Sequence, residues 1–281
     1  MRRPNDQRGR TVRLIKALLC ATALVSTCSA LAADLPTNKA PPAPTLAAVP
    51  AYSWTGFYIG AGGGGAYMRA KDRSSSSYST SSFSGYYRAS GGNNSDLGKW
   101  GAFGTVEAGA DYQMDRFVVG AFTNFDFKNL KKSKSTYGTV TGSGTGSFTV
   151  PSARHSVWYK VGNSWDAGVR LGYLVTDRNL VYGLGGYSGA QISSGAQIDV
   201  YNSGGARIGS FGSSESGWKS GWMLGAGWEN AITDHVSFKL EYRYADYGKA
   251  KSSSYASSST YARQSGDVSV QTVRASLDYK F

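Results

Sequence analysis

Val273-Arg274-Ala275-Ser276-Leu277-Asp278-Tyr279-Lys280-Phe281 carries an apolar or aromatic residue at every odd position and a polar one at every even position. A strict period of two describes an extended strand with one apolar and one wet face. A soluble domain has little use for such a strand ending on an exposed phenylalanine. A barrel in an outer membrane does, because lipid covers one face and a polar lumen the other.

Seven further segments share the pattern, giving eight in all at about 54–68, 100–114, 117–129, 158–176, 180–192, 218–233, 236–248 and 268–281. Tight turns at Asp115-Arg116, Asp177-Arg178-Asn179 and Asp234-His235 alternate with Ser/Gly/Thr/Tyr-rich stretches at 69–99, 130–157, 193–217 and 249–267, which are expected to be long loops. Short turns at one end and long loops at the other predict an all-β fold: an eight-stranded antiparallel up-and-down transmembrane β-barrel with its turns in the periplasm. Val236, Phe238, Leu240, Tyr242 and Tyr244 alternate with Ser237, Lys239, Glu241 and Arg243, so lipid takes the first set. Phe117, Val119, Ala121, Phe125 and Phe127 face lipid by the same parity, as do Trp222, Leu224, Ala226 and Trp228. The inward set then includes Glu107, Asp111, Asp126, Arg170, Glu229, Lys239, Glu241, Arg243, Arg274 and Asp278, read here as a balanced, interlocked charge network. Eight strands leave a lumen only wide enough for side chains. A plug is therefore expected in place of a selectivity filter.

The amino terminus supports export. Arg2, Arg3, Arg8, Arg10, Arg13 and Lys16 precede a short apolar stretch from Ala17 to Val25, and Ala30-Leu31-Ala32 offers small residues for cleavage. Residues 1–32 read as a signal peptide. Both cysteines, Cys20 and Cys28, fall inside it, so no disulfide or cysteine metal site is expected afterwards. Residues 33–53 form a proline-rich periplasmic linker, and 54–281 the barrel.

Motifs with chemical potential are few. Gly60, Gly62 and Gly65 fit G-x-G-x-x-G, but a phosphate cradle needs a helix to open at the last glycine, and Ala66-Tyr67-Met68-Arg69 leads elsewhere. His155 and His235 are the two histidines, expected at opposite membrane faces and therefore unable to share a metal or haem. His155-Ser156 is the one nucleophile–base candidate, and adjacent strand residues point to opposite faces. No enzyme activity, cofactor or nucleic-acid partner is expected.

The basic excess has a definite place. Of the net charge of +12, the leader carries six basic residues against Asp6, and the stretches 69–99, 130–157, 193–217 and 249–266 together carry +9. Lys131, Lys132 and Lys134 cluster where lipopolysaccharide phosphates would lie, and Tyr78, Tyr86, Tyr87, Tyr255 and Tyr261 add amphipathic contact area. Envelope integrity and surface interaction form the preferred function. A narrow pore for small solutes is the alternative.

Trp54-Thr55-Gly56-Phe57-Tyr58-Ile59-Gly60, Leu240-Glu241-Tyr242-Arg243-Tyr244-Ala245-Asp246-Tyr247-Gly248 and the terminal nine residues resemble the small outer-membrane β-barrel proteins of alphaproteobacteria, the outer-membrane immunogenic or "porin family" proteins related to the transmembrane half of OmpA. The resemblance implies that Tyr279 and Phe281 form the signal read by the barrel-assembly machinery. It also implies that Ala33, at the start of the mature chain, is joined to peptidoglycan, in place of a wall-binding domain after the last strand. Deleting Phe281 is expected to leave the protein degraded in the periplasm. Immunoblots of fractionated membranes check this, and normal outer-membrane levels would refute it.

Overall fold

The computed structural model describes residues 52–82, 85–143, 152–202, 204–257 and 260–281. The signal peptide, Ala33 and the linker up to residue 51 lie outside the described residues. Nine strands follow in order: β1 (Gly56–Ser82), β2 (Gly85–Met114), β3 (Phe117–Lys128), β4 (Leu130–Ser143), β5 (Ser152–Thr176), β6 (Asn179–Tyr201), β7 (Arg207–Ala231), β8 (Val236–Tyr255) and β9 (Tyr261–Lys280). β3 and β4 form one stave broken at Asn129, since both pair with β2 on one side and β5 on the other. The sheet is therefore an antiparallel ring of eight staves. It closes where β9 pairs with β1 from Tyr58↔Lys280 to Ser77↔Tyr261.

The tight turns follow from local chemistry. Asp115 adopts φ 53° in the two-residue turn between β2 and β3. Such hairpin turns demand positive φ, which aspartate tolerates. Around the lower ring Phe117 packs edge-on against Tyr173, and Tyr279 against Phe281. A second ring pairs Tyr67 with Trp100, Trp165 with Tyr187 and Trp222 with Tyr244. Phe57 and Tyr67, on the two rings, are ten residues apart on β1. A strand tilted by ~40° rises ~25 Å over that length, the height of an outer-membrane apolar band. Between the rings Ile59, Val119, Val169, Leu171, Leu224, Leu240 and Val273 are exposed on the outer face.

The stretches expected to be loops are largely strand. β1 and β2 run up to Ser82 and Gly85, β5 and β6 pair up to Ser152↔Tyr201, and β8 and β9 pair up to Tyr255↔Tyr261. Their apolar residues point inward, opposite to the lower half. Ala66, Met68 and Ala70 of β1 pack with Val157 and Tyr159 of β5, Ile192 of β6, and Val268 and Val270 of β9. Above the band water covers the outer surface, so the oily face moves to the lumen.

Two bulges adjust the alternation. Between Val161 and Ser164 the β5–β6 register shifts, and the buried set changes from Ala153, His155, Val157, Tyr159 and Val161 to Ser164, Asp166, Arg170 and Leu174. Between Asp246 and Lys249 the β8–β9 register shifts likewise. There Gly248 takes φ 62° and donates its N–H to Asp246 Oδ1 at 2.8 Å. Each extra residue turns the following side chains over.

Gly64 shows how β1 tolerates its neighbour. A Cβ there would fall 2.8 Å from the Arg274 Cα, on the lumen side, whereas at Gly65 the nearest atom would be 3.9 Å away on Trp100. Gly64→Val is expected to prevent closure of β1 on β9, and Gly65→Val to be tolerated. The folded fraction, read as heat-modifiable migration on gels, checks the contrast.

Candidate functional site

The lumen is stacked in layers. At the periplasmic mouth the chain preceding β1 folds back as a stopper. Trp54 is 2 % exposed; its backbone N–H donates to Gln113 Oε1 at 2.8 Å and its indole N–H to the Asp177 carbonyl at 3.1 Å. Tyr52 packs edge-on against Trp54 under the cationic ends of Arg178 and Lys280, 5.5 and 4.8 Å from its ring. Burial pushes the Tyr52 phenol up to about 12, so it stays protonated. Val118, Phe122, Leu174, Leu180 and Leu184 complete this apolar layer.

The ion network lies above the stopper. Arg170 holds Asp111 through both Nε and Nη2, and donates from Nη1 to Glu229 Oε2 at 2.8 Å. Its guanidinium is sandwiched by Tyr58 and Tyr182, with ring centroids at 4.9 and 5.0 Å. Lys239 bridges Asp278 at 2.5 Å and Glu107 at 3.4 Å, while Ser276 donates to Glu107 at 2.6 Å. Arg243 pairs with Glu241 at 2.6 Å and donates to Asn124 at 2.5 Å; Tyr182 donates to the other Glu241 oxygen at 2.7 Å. Arg274 and Lys128 share Asp126 at 3.2 and 3.3 Å. Asp166 joins through Arg243 at 3.5 Å, Asn124 and Ser188.

Glu107, Arg170, Glu229, Lys239, Glu241, Arg243 and Arg274 are all buried in this one layer. Two expectations need correction. The set is not balanced, since seven buried carboxylates (Glu107, Asp111, Asp126, Asp166, Glu229, Glu241, Asp278) face five buried cations (Lys128, Arg170, Lys239, Arg243, Arg274). It is also not the whole plug, because apolar layers close it above and below. Asp166 and Lys128 were missed by sequence reasoning, although they share the parity of Arg170 and Asp126 on their own strands. The cavity between Asp126, Lys128, Arg243 and Arg274 measures about 10 Å³. That is room for about one water.

Farther out, His155 is enclosed. Its Nδ1 lies 2.6 Å from Ser76 Oγ and its Nε2 3.1 Å from Ser74 Oγ, which donates to Asp72 at 2.9 Å. Ser156 turns to the other face and meets Ser135 Oγ at 2.9 Å. His235 sits in a turn at the opposite end, stacked on Tyr279. Among the described residues no three or more His, Cys, Asp and Glu side chains gather as a metal site.

Lys131, Lys132 and Lys134 stand on β4 and not in a loop. Lys131 pairs with Lys160, whereas Lys132 and Lys134 pair with Tyr159 and Val157. Opposed residues share a face. The cluster is thus split, with Lys131 outside and the other two on the lumen side. All three are nevertheless exposed. The cause is a break in the wall: β2 pairs with this stave at Ser90↔Thr139 and again at Phe103↔Lys128, leaving Gly91–Ala102 unpaired opposite Asn129–Gly138. Twelve residues face ten, so the strands cannot stay in register across the gap. Lys99, also exposed, lies on the β2 side of this seam.

A family model described as "Outer membrane protein beta-barrel domain" matches residues 20–281. The chain belongs to this outer-membrane β-barrel family. A 31 kDa outer-membrane immunogenic protein of Brucella melitensis is 32 % identical over 269 residues, covering 94 % of this chain and 98 % of the relative. A 25 kDa outer-membrane immunogenic protein of Brucella abortus is 29 % identical over 275 residues, covering 96 % and 100 %. Among solved structures, the outer-membrane protease OmpT of Escherichia coli aligns with TM-score 0.42 at 10 % identity over 83 % of this chain and 99 % of its own. OprG of Pseudomonas aeruginosa aligns with TM-score 0.39 at 14 % identity, over 81 % and 96 %.

Like its family, the protein is an outer-membrane barrel, and its buried charges sit at the depth of the bilayer. Arg170→Met would leave Asp111 and Glu229 without their cation. Breaking a buried pair from one side costs about 3–5 kcal/mol. A lowered unfolding temperature in detergent is the expected outcome, checked by gel migration after stepped heating.

Proposed function

We propose that this protein is a non-enzymatic outer-membrane component that stiffens the envelope and grips lipopolysaccharide through the lysines at the seam between β2 and β4. The carrying observation is that Lys99, Lys131, Lys132 and Lys134 are exposed, and none has a carboxylate partner within ion-pair distance among the described residues. Lys131 is four residues beyond Phe127, the last lipid-facing aromatic of β3. It therefore stands ~10 Å above the apolar band, level with lipid phosphates. Enclosure of His155 and the separation of Ser156 argue against hydrolysis. The layered lumen argues against conduction. The Brucella relatives' designation as immunogenic fits a barrel whose hairpins project outward. Wall attachment through Ala33 is a further part of this reading: Tyr52 lies in the periplasmic mouth, nineteen positions after Ala33.

Replacing Lys131, Lys132 and Lys134 with glutamine is expected to reduce co-purifying lipopolysaccharide several-fold. Added salt should do the same to the wild type, since exposed charges are screened over roughly 8 Å at physiological ionic strength. Unchanged, salt-insensitive retention would refute the reading. Single-channel recording of the refolded protein should give conductance near zero, and a steady open pore would promote the narrow-pore alternative.

A further inference from the structure

We propose that the outer face of β8, β9, β1 and β2, above the apolar band, is a binding site for a phosphorylated saccharide. A cavity of about 610 Å³ lies there, lined among others by Arg73, Asn94, Lys251, Tyr255, Arg263 and Ser265. This site rests on the lipopolysaccharide reading for its setting, but it uses different residues on a different part of the wall.

Register fixes its geometry. Arg73 and Lys251 both pair with Ser265 from opposite sides, so the row runs Arg73, Ser265, Lys251 across three strands. Neighbouring strands are spaced about 4.8 Å, which sets the two cations' backbones ~10 Å apart. Arg263, two residues along the central strand, completes a triangle. All three side chains alternate with the buried Asp72, Ser252, Ala262 and Gln264, and so face outward.

Three features point to a ligand over an ordinary solvated rim. No Asp or Glu lines the cavity, and none of the three cations has an ion-pair partner among the described residues. The next row down is built differently: Asp267 sits between Lys71 and Lys249, and Arg69 is paired with Asp96. The acid-free row is therefore a local departure, and its concavity is larger than the adjoining one of about 370 Å³ over Lys71 and Lys249, which shares Arg73, Asn94 and Ser265 but is lined by Asp96 and Asp267. Finally, hydroxyl and amide groups of Ser75, Asn94, Ser253 and Ser265 interleave the cations, and Tyr255, 59 % exposed, offers its ring beside Arg263 at 5.9 Å. Cations for phosphate, amides and hydroxyls for sugar hydroxyls, and an aromatic face for the ring are the groups a phosphosugar needs.

Height selects the part of the saccharide. Arg73 is six residues beyond Tyr67, the uppermost lipid-facing aromatic of β1. A tilted strand rises ~15 Å over that distance. The site thus stands above lipid A, level with a phosphorylated core oligosaccharide. The same chemistry is carried by a soluble phosphosugar, and the experiment separates the two.

The full mature protein in detergent would be titrated with a phosphorylated core oligosaccharide, its dephosphorylated form, and a core-less lipid A. The triple variant R73Q/K251Q/R263Q is expected to bind the phosphorylated oligosaccharide at least ten-fold more weakly, with Y255S weakening it further. K71Q/K249Q, which also removes cations from this face, is expected to bind it normally. Heat-modifiable migration verifies that each variant is folded. Equal binding of the dephosphorylated form, or equal loss in K71Q/K249Q, would overturn the site. Tighter binding of core-bearing lipopolysaccharide in nanodiscs than of free oligosaccharide supports a membrane-borne ligand, and equal binding supports a soluble one. Lipid A retention tests the seam lysines separately, because K131Q/K132Q/K134Q should lose it while R73Q/K251Q/R263Q keeps it.

Discussion

Backbone amides in hydrocarbon have no water to bond, and each one left unpaired costs several kcal/mol. Closure of β9 onto β1 removes the two edges that an open sheet would expose at that depth. The rest follows from this requirement. At the level between the aromatic rings every stave is paired on both sides: β2 with β3 from Phe103 to Met114, β7 with β8 from Trp222 to Ala231, and β8 with β9 throughout. Above it, water can satisfy the backbone. Among the described residues the wall opens only there, between β2 and β4 and along the upper part of β7, which pairs with β6 alone.

Closing eight staves leaves a lumen too narrow for bulk water, so what fills it must satisfy itself. Tyr58 and Tyr182 sandwich Arg170, Ser237 and Ser276 cap Glu229 and Glu107, and Asn124 bridges Arg243 to Asp126 and Asp166. Neutral hydroxyls and amides supply further partners to Glu107, Glu229, Glu241, Asp126 and Asp166, whereas Asp278 rests on Lys239 alone. Apolar layers on each side then hold the network away from solvent. The trade is specificity of side-chain position against the cost of burying charge.

The eight-stave ring and its lipid-facing parity were legible because, at bilayer depth, lipid outside and charge inside impose a clear period of two. Phe238, Leu240 and Tyr242 against Lys239, Glu241 and Arg243 is the plainest case. The upper half was not legible as strand for a physical reason. Water replaces lipid there, so Arg69 and Lys71 face out while Met68 and Ala70 face in, inverting the lower pattern. Serine and glycine blur what alternation remains. The bulges at Gly162-Asn163 and Gly248 then shift parity within a strand, which hides the inward run from Ala153 to Val161. Asp166 and Lys128 lay within reach of parity alone. The pairing of Lys132 with Tyr159, and the break in the wall that exposes it, depended on register between distant strands.

That break and the groove on β8, β9, β1 and β2 have one origin. A strand that leaves the bilayer no longer needs a neighbour on both sides, and its outer face no longer needs to be oily. Cations can therefore stand on the wall itself, held by paired backbone on at least one side. Lys131 opposite Lys160 and Arg73 across from Lys251 are placed in this way. Fixing like charges side by side without acids between them is unfavourable for the protein alone. On the proposed lipopolysaccharide reading, an anionic surface around the barrel at the same height would supply the counter-charge absent among the described residues.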